Sequence, residues 1–512
     1  MYDGLTDFSQ RKTIWTAEHG VHGVPATRHQ EFEYSVANEE MRIFLFLLAV
    51  AVVRGESADT FPVCRKRVYC NSELLHRVQI NRVCEYSKAF VDLHMNYDEN
   101  KTLDDFEKLL NSHNNYLSKD QLKEFVGKYF SEDNGLEKWT PPDFDGNPKF
   151  LNAIEDKKLK EFARNIHKLW THLGKKVKVD VFKNPDRYSL IPVSHGFFIP
   201  GDIELIESFT NQTDILKGIW SAVESGWDFS SRWFADPEET ERENPRIDIR
   251  TMFISPVDLN AIIASALQHM ANFHTDLMNV DKANTYAQLA QQLRDTIESV
   301  FWNEEDGVWY DYDLNLQSQR KYFYLSNFSP LWLSAVRSDF VKAKGEKILN
   351  YLIDSGALEY PGGVPISMVN SGEQWDFPNT SPPFISVLVN ALESIGTEKA
   401  KELALQIAEK YVRASHVSFI NYGNLCEKYD VNEFGKCGEG GERPTQIGFG
   451  WSIGVVLEFL MKYKKMTVAP LDDQLTTTIS QYSESPNNSV GIRFGVINYI
   501  IIFVTTLKSF LL

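Results

Sequence analysis

Apolar residues recur at helical spacing along most of the chain between residues 65 and 465. Phe106, Leu109 and Leu110 fall on one face of a predicted short helix, and Ser118 and Gln121 have the spacing of a capping box at the start of another. The same helical period marks residues 151–173, 257–300, 343–354, 383–395, 397–413 and 452–464. These segments predict a chain built mainly from amphipathic helices.

Long loops separate the predicted helices. They are rich in glycine, proline, asparagine and aromatic residues and cover residues 303–313, 361–365 and 422–446. No run of alternating strands accompanies them. Paired helices joined by long aromatic loops favour an all-α fold, an (α/α) toroid or barrel.

Two apolar stretches lie outside this helical body. Met41–Val53 is too short to span a bilayer comfortably but fits the apolar core of a secretory signal. It starts forty residues into the chain, so either translation begins at Met41 or the stretch is an internal anchor; we favour the first. Residues 496–512 are apolar again and follow a polar, serine-rich stretch, the order of a GPI signal or of a short membrane anchor.

Composition narrows the functional classes. The 512 residues are 43% hydrophobic, enough for a large core, and the net charge of −17 argues against binding to nucleic acid or to an anionic membrane surface. The five cysteines show no metal-ligand spacing, so no metal is expected, and no other feature of the sequence implies a cofactor. Cys426 and Cys437 are close enough in sequence to form a disulfide within one loop.

Three segments carry the candidate chemistry. Residues 224–233 set Asp228 between tryptophans and next to Gly226 and Trp227, and two further segments follow the same theme. These are Gln374-Trp375-Asp376 and Gly440-Gly-Glu442, the latter running on to Trp451. Aromatic faces stack on pyranose rings, amides and carboxylates bind hydroxyl groups, and a pair of carboxyl groups does acid–base work. The pattern indicates a sugar-cleaving cleft.

Together these segments resemble the trehalase family of inverting glycosidases in sequence, order and spacing. The resemblance covers about residues 60–465 and implies an (α/α)6 toroid with α,α-trehalose as its small-molecule substrate. It assigns the general acid to Asp228 and the general base to Glu442. It makes Gly226, Trp227, Gln374, Trp375, Asp376 and Trp451 candidate substrate-binding residues. It also implies a disulfide between Cys64 and Cys70.

The chain departs from the family pattern at one place above all. The family's first signature should begin at Pro200-Gly201, but the chain continues with Asp202-Ile-Glu and reaches Glu224 within a short distance. Several helices of a closed toroid are therefore expected to be absent. An alternative isoform, an incomplete gene model or a true loss of activity would each explain this, so an inactive trehalase-like or sugar-binding protein stands as the alternative function. A related glucosidase with another substrate is a third hypothesis.

The expected organisation follows from these observations. It consists of a polar extension (1–40), a signal-like segment (41–57), a trehalase-like toroid (58–465) with a gap near 201–206, a polar linker (466–489) and a hydrophobic anchor or GPI signal (490–512). The body is expected outside the cell, either secreted or tethered to the membrane by its tail. Five Asn-x-Ser/Thr sequons, at Asn100, Asn211, Asn327, Asn379 and Asn487, give mild support to a secretory route.

Overall fold

The computed structural model describes the chain over most of its central part. The described residues are 66–70, 72–84, 87–91, 93–132, 135–184, 187, 222, 225–238, 248–440 and 448–467. The signal-like segment, the gap near 201–206, the polar linker from residue 468 onward and the hydrophobic tail lie outside this part. The predicted domain boundaries therefore stay predictions.

Helices dominate the described residues, as the sequence predicts. In chain order they are α1 (Arg67–Cys70), α2 (Glu73–Ile80), α3 (Ser87–Val91), α4 (Glu99–Ser112), α5 (Lys119–Tyr129), α6 (Lys157–Lys168), α7 (Trp170–Leu173), α8 (Val179–Lys183), α9 (Val257–Asp276), α10 (Val280–Thr296), α11 (Ser329–Trp332), α12 (Ser338–Asp354), α13 (Pro382–Ile395), α14 (Glu398–Tyr422) and α15 (Gly450–Lys462). Among them, no helix is both long and apolar enough to cross a bilayer.

Local sequence explains where several helices begin and end. The Ser118 side chain accepts a hydrogen bond from the Gln121 backbone, and the Gln121 side chain accepts one from Ser118, so the predicted capping box is confirmed. Asp156 caps α6 in a similar way, through the backbone N–H of Leu159. At the other end of a helix, α13 stops at Gly396, whose φ of +82° favours glycine.

The helical stretch predicted over 257–300 is confirmed and divides into two helices. Helices α9 and α10 form a hairpin that turns at residues 277–279, and Ile297–Phe301 continues α10 as a π-helical turn. Met278 takes a φ of +54° at the turn, and the Asn279 side chain caps α10 by accepting from Lys282. Asn279 marks the boundary between α9 and α10, which the spacing of the apolar residues alone does not reveal.

The loop predicted over 303–313 contains short strands. The strands are β1 (His94–Met95), β2 (Phe130–Ser131), β3 (Leu136–Lys138), β4 (Lys175–Val177), β5 (Ile254–Ser255), β6 (Trp302–Asn303), β7 (Val308–Trp309), β8 (Asp311–Asp313), β9 (Ser318–Arg320), β10 (Asn379–Thr380) and β11 (Tyr429–Asp430). The hairpin β6–β7 turns at Gly307, whose φ is +80°. The dipeptide Asp306-Gly307 is a typical hairpin-turn signal in the sequence. Strand β8 pairs with both β5 and β9.

In the described part of the chain, the buried apolar residues form two cores and one aromatic cluster. The main core joins α6, α9 to α15 and their loops, and a smaller core lies among α1 to α5. The third cluster is aromatic and includes Trp227, Trp233, Tyr324 and Trp375. It gathers the segments that the sequence singled out for chemistry.

One helix face is left uncovered within the described residues. Along α9 and its turn, Leu259, Met270, Phe273 and Leu277 follow one another at helical spacing and are 39%, 39%, 41% and 72% exposed. An apolar stripe of this kind normally packs against a neighbouring helix. It is the type of surface that a toroid with missing helices is expected to leave bare.

We therefore predict that the α9 stripe promotes self-association. The double variant Phe273→Lys, Leu277→Lys should bind less of a hydrophobic dye and elute later in gel filtration than the unchanged chain, because two lysines break the apolar surface. Phe182→Lys is the matched control, since Phe182 is 74% exposed but lies on α8. Equal improvement by Phe182→Lys would show that the α9 stripe has no special part in association.

Candidate active site

The loop that carries Asp228 is sharply folded. Gly226 has a φ of +79° and Asp228 a φ of +45°, and Ser231–Trp233 then form a 3-10 turn. A non-glycine residue in this left-handed region is uncommon and is found preferentially at functional sites. Trp227 and Phe229 on either side are buried, whereas Asp228 is only half-buried. The loop thus presents one carboxyl group beside an apolar wall.

A buried arginine fixes this loop to the scaffold. The Arg232 side chain is fully buried and donates two hydrogen bonds to Asp311, at 2.6 and 2.8 Å, and two to Asp258, at 2.9 and 2.8 Å. Its guanidinium also lies 4.4 Å from the ring centre of Trp227 and 4.8 Å from that of Trp233. Such flat, bidentate pairing makes a buried charge tolerable.

The two carboxylates extend this connection to other elements. Asp311 also accepts from the backbone N–H of Val257, the first residue of α9, at 2.9 Å. Asp258 accepts from the indole N–H of Trp227 at 2.9 Å. Burial alone would raise the pKa of Asp258, but the Arg232 guanidinium outweighs it and the pKa lies below its usual value. The loop, α9 and β8 therefore form one electrostatic unit.

Asp376 lies behind the Asp228 loop rather than at its surface. Its side chain is fully buried and accepts hydrogen bonds from Ser230 at 3.0 Å, from the Ser231 backbone at 2.6 Å and hydroxyl at 2.9 Å, and from Ser367 at 2.8 Å. Ser371 donates one more. Burial raises the pKa of Asp376 although these hydrogen bonds oppose the shift. Its oxygens accept from protein donors and hold the loop, and its role as a partner for sugar hydroxyls stays a prediction.

Gln374 contacts the acid candidate directly: its amide Nε2 donates to Oδ2 of Asp228 at 3.0 Å. Next to it, Trp375 is buried, with its ring 6.1 Å from that of Trp451 and nearly perpendicular to it. Trp451 is only half-buried and donates to the backbone carbonyl of Glu427. Of the three candidate tryptophans, Trp451 is the least buried, although the Phe449 ring lies 4.6 Å from its ring; Trp227 is covered by Arg232 and Phe384.

The base candidate Glu442 falls within residues 441–447, outside the described residues. The chain just before it is well fixed. Both amide atoms of Asn379 bond the Glu439 backbone, and the buried Lys428 ammonium donates to the Gly440 carbonyl at 2.8 Å. The distance between the two catalytic carboxyls stays a prediction.

A disulfide joins Cys426 to Cys437, as the sequence predicts. It closes the loop that leads towards Glu442. Cys64 lies outside the described residues and nothing is described of the Cys70 side chain, so their pairing stays a prediction.

Several residues that build the site were not among the candidate residues predicted from the sequence, namely Asp258, Asp311, Asn379 and Lys428. One signal was available. Asp311 stands among Trp309, Tyr310 and Tyr312, and a carboxylate in so apolar a run needs a buried partner. Arg232 lies between the aromatic residues Trp227 and Phe229 on one side and Trp233 and Phe234 on the other, so it was the natural candidate for this cationic partner.

Comparison with known proteins identifies the family that this chain resembles. The family model described as trehalase matches residues 82–203 and 202–464. A trehalase of Bombyx mori is 36% identical over 83% of this chain and 95% of its own length, and one of Tenebrio molitor is 32% identical over 82% and 99%. A solved neutral trehalase of Saccharomyces cerevisiae superposes with a TM-score of 0.38, at 15% identity over 56% of this chain and 48% of that chain.

These alignments also bear on the gap. The Bombyx mori alignment is 552 residues long but takes in 83% of a chain of 512, so the relative has more than one hundred aligned positions without a counterpart here. The two parts of the family match overlap at residues 202 and 203. Both observations agree with an absent segment after Gly201.

We predict that Arg232 is indispensable for the fold around the site. Arg232→Met should lower the free energy of unfolding by about 3–5 kcal/mol, because Asp258 and Asp311 would keep their burial but lose their cation. Urea unfolding monitored by tryptophan fluorescence measures this. The matched control is Arg337→Met, which breaks the more exposed pair with Glu298 and should cost at most about 1 kcal/mol. Similar losses in both variants would contradict the assignment.

Proposed function

This chain belongs to the trehalase family, and from that premise we propose that it hydrolyses α,α-trehalose to two glucose molecules with inversion at one anomeric carbon. The observation that carries the proposal is the contact between Gln374 and Asp228, which joins two of the three candidate segments across 146 positions of the chain. An amide beside a half-buried carboxyl, within an aromatic wall, suits a neutral polyhydroxylated substrate.

Asp228 is the proposed general acid. Because the Gln374 amide donates to Oδ2, the acid's proton belongs on Oδ1, from which it passes to the glycosidic oxygen as the C–O bond breaks. The departing glucose leaves with that proton. Asp228 is then an ionised carboxylate that takes a proton back from solvent.

Glu442 is the proposed general base. It would remove a proton from a water molecule whose oxygen bonds the anomeric carbon from the opposite face of the ring, and inversion results. The two carboxyl groups of an inverting enzyme stand roughly 6.5–9.5 Å apart to admit that water. Trp451 is the proposed stacking residue, since it is the least buried of the three candidate tryptophans.

A second candidate function rests on the absent segment. A trehalase-like chain without it would bind sugar weakly or not at all, because a cleft formed by loops of a closed toroid loses part of its wall. The described acid loop supports the enzymatic hypothesis and the alignment gap supports the inactive one. Turnover of trehalose decides between them.

We also propose that the protein reaches the cell exterior, with residues 41–57 as signal and residues 490–512 as a GPI signal or membrane anchor. Support comes from the order of segments in the sequence and from the described sequons. Asn100 is exposed at the start of α4, whereas Asn327 and Asn379 are buried and hydrogen-bonded. A glycan on the folded surface is therefore expected at Asn100.

The acid and base assignments make a direct prediction. Asp228→Asn and Glu442→Gln, in a version carrying the absent segment of the Bombyx mori relative, should each lower kcat by about 10²–10⁴-fold. The circular dichroism spectrum should stay unchanged because both replacements keep the side-chain shape. A variant that retained kcat within a few-fold would remove its residue from the proposed mechanism.

The localisation proposal is tested on protein expressed in insect cells. The mature N-terminus should lie a few residues after Val53, and the protein should sit at the cell surface. Release by a phosphatidylinositol-specific phospholipase identifies a GPI anchor, and retention identifies a membrane-spanning tail. Mature protein that begins at Met1 or remains inside the cell would contradict the proposal.

A further inference from the structure

The short segment 374–379 contacts the acid-bearing loop at two points. Gln374 contacts Asp228 itself, and Asp376 accepts three hydrogen bonds from Ser230 and Ser231, which lie two and three positions after Asp228. Asp376 is fully buried, so these bonds are shielded from water. These contacts fix the position of Asp228 relative to residues 374–379.

The same segment also holds the chain that leads to Glu442. Asn379 donates through Nδ2 to the Glu439 carbonyl at 2.8 Å and accepts through Oδ1 from the Glu439 N–H at 3.1 Å. Its side chain is 2% exposed. An asparagine side chain that hydrogen-bonds both the N–H and the C=O of one residue fixes the position and the orientation of the backbone at that residue.

Glycines allow these two segments to touch. A Cβ atom at Gly438 would collide with the Asn379 side-chain oxygen. One at Gly440 would lie 2.7 Å from the carbonyl oxygen of Gly372. Gly440 has a φ of +88°, which also favours glycine. Residues 438–440 therefore pack against 372–379 with no space for a side chain between them.

We propose that residues 374–379 act as a template that sets the acid and base segments at their working separation, with Asp376 and Asn379 as its two positioning residues. The inference rests on the proposed function, because it assumes that Asp228 and Glu442 are the acid and the base. Asp376 would fix the loop that carries Asp228, and Asn379 would fix residues 438–440, which lead to Glu442. The three-residue spacing between Asp376 and Asn379 would then set the distance between the acid and the base. A misplacement of about 1 Å at such a site can cost around 10²-fold in rate.

The first test does not depend on activity and uses the chain as it exists. Amide hydrogen exchange is followed in peptides covering 229–233 and 437–440 for Asp376→Asn, Asn379→Ala and the control Asn390→Ala. Asn390 is a matched control because its amide bonds Ser386 and Glu458 on α13 and α15, away from both segments.

Each variant should loosen its own segment. Exchange should rise about tenfold in 229–233 for Asp376→Asn and in 437–440 for Asn379→Ala, because each loses buried backbone hydrogen bonds. Asn390→Ala should change neither peptide. Unchanged exchange in both peptides, or the same increase across the whole chain in every variant, would overturn the template.

The second test measures function in the version with the segment restored. Both variants should lower kcat by about 10–10²-fold with little change in KM. Asp376→Asn should move the alkaline limb of the pH profile, which reports the acid, and Asn379→Ala the acidic limb, which reports the base. Lower activity with both limbs unmoved would mean general structural support and overturn the proposal. If the restored parent fails to split trehalose, the proposed function falls, while hydrogen exchange still decides whether the template exists.

Discussion

The Arg232 guanidinium sits fully buried between the carboxylates of Asp258 and Asp311. A charge in the interior persists only when its partners are close and well oriented, so none of these side chains can move alone. Because Arg232 belongs to the acid-bearing loop, Asp258 to α9 and Asp311 to β8, the three elements are held in one arrangement. The left-handed backbone of Asp228, a costly local conformation, is retained because the surrounding contacts determine it.

Sequence patterns predicted most helices because each helix shows its buried face within a few turns. Leu159, Phe162 and Ile166 repeat at helical spacing and are all buried. The site was less predictable. Residue types in 224–233 and 374–376 indicated sugar chemistry, yet Asp376 proved to be a fully buried anchor. Its partners Ser230 and Ser231 lie about 145 positions away along the chain, and local periodicity carries no information about such contacts.

The absent segment and the described site have to be considered together. The acid loop, its arginine anchor and residues 374–379 are all formed within the described part of the chain, without the stretch that the relatives carry after Gly201. The same part leaves the apolar stripe of α9 uncovered. The structure thus separates two requirements of an inverting glycosidase. A rigid support for the acid is present, whereas we expect the closure of the cleft around a disaccharide to need the stretch that the Bombyx mori relative has and this chain lacks.

The most direct test of this account compares the trehalose turnover of two proteins. One is this 512-residue chain, and the other is the same chain with the absent segment of the Bombyx mori relative inserted between Gly201 and Asp202. The account predicts that the restored chain reaches the range of ordinary enzymes, about 1–10³ per second. The 512-residue chain should be at least about 10²-fold slower, because a cleft without that segment is expected to hold trehalose in a misplaced position. Equal turnover of the two proteins would contradict the account and show that the cleft lies elsewhere.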